Sequence, residues 1–189
     1  VRTKTPQLAD RILDSAARLF ASQFFHEARM EDIAAETGVS KGTLYSYFRD
    51  KEELYLALLD RASRGMVQAL ERAVDCPGGA RVKLVAIVEA ILSYFDGQPH
   101  VFDLIQRVEV LRRHGAEFPW QRARDVGMRL VLDVFEEAAA TGEFRVRDPE
   151  LGALLLFGGL RAVIRFGNQP RRRGLAGLIV HSFLDGAVE

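Results

Sequence analysis

The chain has 189 residues and a mass of 21.1 kDa, the size of one domain or of a small module on a larger one. Hydrophobic residues at 48% and charged residues at 28% give an ordinary globular composition that excludes disorder. With 26 basic against 26 acidic side chains, global charge gives no pull towards nucleic acid, so only local placement of the basic groups can do so. A single cysteine, Cys76, excludes an internal disulfide and a Cys-rich zinc site, and fits a reducing compartment. The polar, basic start shows no signal-peptide pattern, and the uncharged apolar runs 151–160 and 174–184 fall short of the roughly 18 residues that span a bilayer. The expectation is a soluble, cytoplasmic protein.

Residues 1–51 carry eight basic and seven acidic side chains, close to neutral like the remainder. Their apolar spacing is helical: Leu8, Ile12, Ala16, Leu19 and Phe20 predict a helix from about 7 to 24. Two short helices follow, at about 30–37 and 41–48. Asp50, with Glu53 three residues on, forms a capping box that opens a long helix to about 75. Cys76-Pro77-Gly78-Gly79 then breaks the chain. Beyond it, helices are predicted at about 80–96, 100–114, 118–141, 149–168 and 173–187. Asp148-Pro149-Glu150 starts one of them with a cap, a proline at the first position and a carboxylate in the first turn. The predicted architecture is all-α, with no internal repeat and no low-complexity segment.

The stretch from Ile33 to Phe48 carries the most information. Two short helices crossing through a tight turn need a small residue at the contact, which is Ala34, and a residue that tolerates a left-handed backbone, which is Gly38. Ile33, Val39, Leu44 and Phe48 close the inner angle, and Ser40 caps the second helix. This is a helix-turn-helix pattern. With Leu44 and Phe48 inward, Gly42 and Ser46 point outward, flanked by Thr43, Tyr45 and Tyr47, with Lys41 at the N-terminal end. Such a face suits a major groove: small residues let the backbone approach, and hydroxyls can bond bases or phosphates. Lys51 is within reach of a phosphate of the same strand. Taken alone, the hairpin is also compatible with a scaffolding element bearing a polar surface.

The longer pattern narrows this choice. Ile12-Leu13-Asp14, Leu19-Phe20, Met30 to Ala34, Gly38 to Phe48 and Lys51 to Leu54 together closely resemble the DNA-binding domain of the tetracycline-repressor (TetR) family, over about residues 9–59. The resemblance implies a homodimeric, ligand-responsive transcriptional repressor, with a helix-turn-helix domain over 1–52 and a ligand-binding and dimerisation domain over 53–189, joined by the helix at about 51–75. It assigns DNA contacts to Lys41, Gly42, Thr43, Tyr45, Ser46, Tyr47 and Lys51, and implies that an arm bearing Arg2, Lys4 and Thr5 touches the duplex. The operator would be double-stranded DNA arranged as an inverted repeat. Two positions depart from the family pattern. Phe24 stands where the family usually has Gly, and Ala28-Arg29 where it usually has Ser or Thr at a helix start, a lost cap worth about 1 kcal/mol. Arg29 has two open readings, a phosphate contact or a solvated side chain.

The C-terminal helices are rich in large apolar residues. The resemblance implies a cavity among them for a small effector, and their aromatic content predicts a largely apolar one. Phe95, Phe102, Ile105, Val108, Trp120, Met128, Val131 and Phe135 are candidates for its walls, with Glu109 and Arg161 for polar anchoring; a helical stripe of this kind is also ordinary core. The histidines are scattered, so neither a metal nor a cofactor is expected. The helix at about 149–168 is apolar on nearly every face, and with the last helix it fits either an internal core or a pair packed against a twofold mate. On the second reading Leu151, Leu155, Gly158, Gly159, Ala162, Ile179 and Phe183 line the dimer interface. Arg171-Arg172-Arg173 reads as a solvated turn. No phosphate-binding glycine loop or nucleophile elbow is present, so an enzyme is not expected. An all-α enzyme or a protein-interaction module using the C-terminal helices remains the alternative.

Overall fold

In the computed structural model, residues 5–106 and 119–187 are described. Among them the regular elements are nine helices: α1 (Pro6–Ser22), α2 (Met30–Thr37), α3 (Lys41–Tyr47), α4 (Lys51–Val74), α5 (Ala80–Gly97), α6 (Pro99–Gln106), α7 (Pro119–Thr141), α8 (Pro149–Phe166) and α9 (Leu175–Ala187). α1 stops two residues short of its predicted end because Gln23 turns extended. The part of the predicted 100–114 helix beyond 106 lies outside the described residues. No described helix is long and apolar enough to cross a membrane.

The predicted caps form where the residues place them. Ser40 Oγ accepts from the Thr43 N–H at 3.1 Å, and Asp148 Oδ1 from the Leu151 N–H at 3.0 Å. The capping box at α4 is displaced by one residue on its return side. Asp50 Oδ1 accepts from the Glu53 N–H at 2.8 Å, but Glu53 Oε2 reaches back to the N–H of Arg49, at 2.7 Å.

Two compact units emerge, one of residues 1–63 and 98–121, the other of residues 64–97 and 122–189. The first therefore includes α6, which the division 1–52/53–189 assigns to the second domain. α6 packs on α1, and its Leu104 belongs to the core that Ile12, Phe20, Ile33, Leu44, Leu54 and Leu58 build. Phe20, Phe25 and Tyr55 pack ring against ring at 5.1–5.6 Å in this core. The Tyr55 hydroxyl donates to the Leu104 carbonyl at 2.7 Å, which satisfies a buried oxygen near the end of α6.

In the second unit α5 packs against α8 and α9, over a core that includes Leu84, Ile87, Val131, Leu156, Leu160 and Val180. Glu143 caps α5 from a distant loop, accepting from the N–H groups of Ala80 at 2.7 Å and Arg81 at 3.1 Å. Arg171 departs from the solvated-turn expectation. Its side chain is 9% exposed, and its guanidinium pairs with Asp96 at 2.7 Å and donates to the Val163 carbonyl at 3.2 Å. Arg172 and Arg173 are exposed as expected.

Candidate nucleic-acid interface

The reading hairpin is built by local chemistry. Gly38 adopts φ 74°, ψ 35°, a left-handed turn that costs an L side chain about 1 kcal/mol or more. Its conformation lets the Val39 N–H reach the Ala34 carbonyl at 2.9 Å. Ile33, Ala34 and Leu44 are buried in the angle between α2 and α3, and Phe48 closes it from below.

The outward face of α3 is exposed at Lys41, Gly42, Tyr45 and Ser46 and half-buried at Thr43 and Tyr47. A Cβ at Gly42 would meet no atom within 4 Å. Packing inside the chain therefore gives no reason for a residue that lowers helix stability by up to about 1 kcal/mol relative to Ala. Ser46 Oγ donates to the Thr43 carbonyl at 2.7 Å, so its outward capacity is that of an acceptor, matched to a base amino group. Thr43 Oγ1 lies 2.8 Å from Ser40 Oγ. Lys41 is ion-paired with Glu31 of α2 and lies 5.7 Å from the centre of the Tyr45 ring. That pairing holds the Glu31 carboxyl below the usual carboxylate range, chiefly through the Lys41 hydrogen bond, and raises the Lys41 ammonium above its ordinary value.

Three other candidates stand apart from this centre. Tyr47 turns its hydroxyl to the chain's start, where it accepts the Thr5 N–H at 2.7 Å; Arg2 and Lys4 lie outside the described residues. Arg29 is exposed at the start of α2 and supplies no side-chain cap there. Lys51 differs most from its assignment. Its ammonium donates to the carbonyls of Phe25 and of Ala28, the latter at 2.7 Å, and sits 4.6 Å from the centre of the Phe25 ring. Burial pushes its pKa down. In this structure Lys51 ties the start of α4 to the loop before α2, a destination that spacing along the chain could not reveal. Phe24, in the same loop, is exposed and stacks on His26 with ring centres 5.7 Å apart.

The effector candidates divide between the units. Phe102, Ile105 and Trp120 fall in the first, with Ile105 packed on its core; Phe95, Met128, Val131 and Phe135 fall in the second. Val108 and Glu109 lie outside the described residues. Arg161 is exposed on the outward side of α8. Phe135 stacks on Phe183 at 6.1 Å and meets Phe144 edge-on at 6.4 Å. The dimer candidates Phe183 and Ile179 are therefore both half-buried, Phe183 with its ring against Phe135. Leu151, Leu155, Gly158, Gly159 and Ala162 do share one exposed face of α8. The same face carries Leu154 at 59% exposure and Phe166 at 80%, which sequence reasoning missed although the three- and four-residue spacing includes them.

An all-α chain that presents the second helix of a helix-turn-helix to solvent has the architecture of a DNA-reading regulator. Residues 12–58 match the family described as bacterial regulatory proteins, tetR family. The HTH-type transcriptional activator FasR of Mycolicibacterium smegmatis is 35% identical over 95 residues, 50% of this chain and 43% of that protein. The fatty acid metabolism regulator protein of Bacillus subtilis is 26% identical over 152 residues, 78% of this chain and 77% of that protein. Among solved structures, the TetR-family regulator PfmR of Thermus thermophilus superposes with a TM-score of 0.82 at 25% identity, over 93% of this chain and 98% of that one. The regulator FadR of Bacillus subtilis, solved with stearoyl-CoA, gives 0.77 at 20% identity, over 94% and 98%. Residues 12–58 thus match the DNA-binding domain of the TetR family, and the chain as a whole shares the fold of TetR-family regulators. The stretch it shares with FasR spans less than half of that protein.

Proposed function

We propose that the protein is a homodimeric repressor that reads an inverted-repeat operator with α3 and leaves it when a largely apolar effector binds. Gly42 carries the DNA assignment: a helical glycine with open space around it makes sense where another molecule's surface must come close. The exposed leucines of α8 support the dimer, since such a contiguous apolar face is typical of an interface. The two half-sites would then lie about one helical turn, 34–36 Å, apart if adjacent. As a reader of chromosomal DNA it works in the cytoplasm and performs no chemistry of its own.

For the effector, a long-chain acyl thioester of coenzyme A is the first class to test. Support comes from the Bacillus subtilis FadR structure, whose chain holds stearoyl-CoA, and from the aromatic and aliphatic content of α5 to α7. Fluorescence anisotropy with the promoter segment upstream of the chain's own gene, at several salt concentrations and with stearoyl-CoA titrated in, tests the reading. Tight binding to that segment over a scrambled duplex, weakened by the thioester, is the expected result. Linkage then requires the operator to weaken thioester binding by the same factor. Equal affinity for both duplexes overturns the operator assignment, and indifference to a broad panel of apolar ligands overturns effector control.

A further inference from the structure

Glu31 stands among the cations of the reading face and belongs to none of the groups assigned to DNA. It lies in the first turn of α2, its carboxylate ion-paired with Lys41 at the first position of α3, and the Arg29 charge also acts on it. Both partners of the pair are at least half exposed, with side-chain exposures of 62% for Lys41 and 50% for Glu31. Neither is needed to fill the core. A phosphate approaching Lys41 must therefore displace a carboxylate and remain close to that negative charge.

We propose that Glu31 is a specificity-determining residue: it occupies Lys41 away from the operator, so that phosphate alone does not recruit the α3 face. This rests on the DNA-binding reading above. On a random duplex nothing fixes the position of α3 and Lys41 stays with Glu31. On the operator, contacts from the rest of the face hold α3 in register, and Lys41 exchanges Glu31 for phosphate. Glu31 is thus a positioning residue acting through Lys41, and its effect appears mainly in the non-specific affinity. That affinity is the part of binding governed by phosphate neutralisation and counterion release.

The test compares the 189-residue chain with Glu31→Gln, Lys41→Gln, the double variant and Glu36→Gln. Glu36 is a matched control, an exposed carboxylate of the same helix paired with Arg18 of α1 at 2.7 Å. Anisotropy titrations against the promoter segment and a scrambled duplex are run across a salt series. Glu31→Gln should tighten scrambled-duplex binding roughly threefold per subunit, the scale of an exposed ion pair. It should also steepen the log–log salt dependence there by about one unit per subunit, as one more phosphate is neutralised. The slope on the promoter segment should stay unchanged, so the specificity ratio falls. In the Lys41→Gln background, Glu31→Gln should change nothing. An equal gain in Glu36→Gln, or a gain that persists without Lys41, overturns the proposal in favour of a general charge effect. A wild-type chain that binds neither duplex at any salt removes the DNA-binding reading itself, a different result from either.

Discussion

The outward sides of α3 and α8 are both exposed and both contain glycines with nothing around them: Gly42 on one, Gly158 and Gly159 on the other. Their other residues differ in kind. Around Gly42 stand Ser46, Tyr45 and Lys41, polar groups that water or neighbours in the chain satisfy when no partner is present. Around Gly158 and Gly159 stand Leu151, Leu154, Leu155 and Phe166, at 51%, 59%, 60% and 80% exposure. A polar face can be bare for part of its working life, as a reader that leaves its DNA must be. An apolar face of that extent has no comparable resting state in water, which on the proposed reading calls for a lasting partner. On the proposed reading the same small residue serves close approach in both places, and the neighbours decide whether the contact is reversible.

The sharpest way to break this comparison is a pair of substitutions that put one charge on opposite sides of the same unit. Phe183→Glu should destabilise the second unit, because the half-buried ring stacks on Phe135 and lies against buried Gly152. A loss of about 2–3 kcal/mol is expected, seen as a lowered melting transition. Leu155→Glu should leave the fold and helicity intact, since Leu155 is 60% exposed in the single chain. It should instead give a monomer by light scattering and weaken operator binding about a hundredfold or more, through loss of the second half-site. A Leu155→Glu variant that stays dimeric would show that this face is not the interface.

Lys51→Met separates support of the reading face from the face itself. Leaving the Phe25 and Ala28 carbonyls without their charged donor should cost about 1–3 kcal/mol in thermal stability. The salt dependence of DNA binding should not change. If Lys51 contacted a phosphate instead, the slope would fall by about one unit per subunit with stability unaltered.

Gly42→Ala sharpens the polar side. The added Cβ meets no atom of the chain, so the variant should be as stable as the parent or up to about 1 kcal/mol more stable. Operator affinity should nevertheless fall, on the order of tenfold, one unfavourable contact at the groove. Greater stability with unaltered affinity would leave Gly42 without a function.

The smallest effect belongs to Asp50. Its carboxyl is held below the usual range, first by the Glu53 backbone N–H and then by Arg49. A depressed folded-state pKa contributes stability that is present above the unfolded value, 3.8, and is lost as pH falls through the folded one. Asp50→Ala should therefore cost about 1 kcal/mol near neutrality. The difference from the parent should shrink below about pH 4, measured by urea titration at a series of pH values.

Local chemistry explains what the sequence determined alone. Ser40, Asp50 and Asp148 cap helices because a side-chain oxygen two or three residues from an unpaired N–H finds it in almost any context. Gly38 makes the turn because only the backbone at that residue must change sign. The hairpin, its outward residues and most helix ends follow from these short-range requirements. Where long or apolar side chains end up is a different matter. Lys51 can reach a phosphate or a carbonyl with equal ease, and only the fold brings the carbonyls of Phe25 and Ala28 beneath its ammonium. α8 is apolar on nearly every side, so its periodicity cannot say which side faces inward; the packing that buries Gly152, Ala153, Leu156 and Leu160 decides it, and sends Leu154, Leu155 and Phe166 out. Likewise α6, far along the chain from α1, joins the first unit because α1 offers its apolar side a partner. Such choices depend on segments tens of residues apart competing for one surface, and no window of sequence contains both competitors.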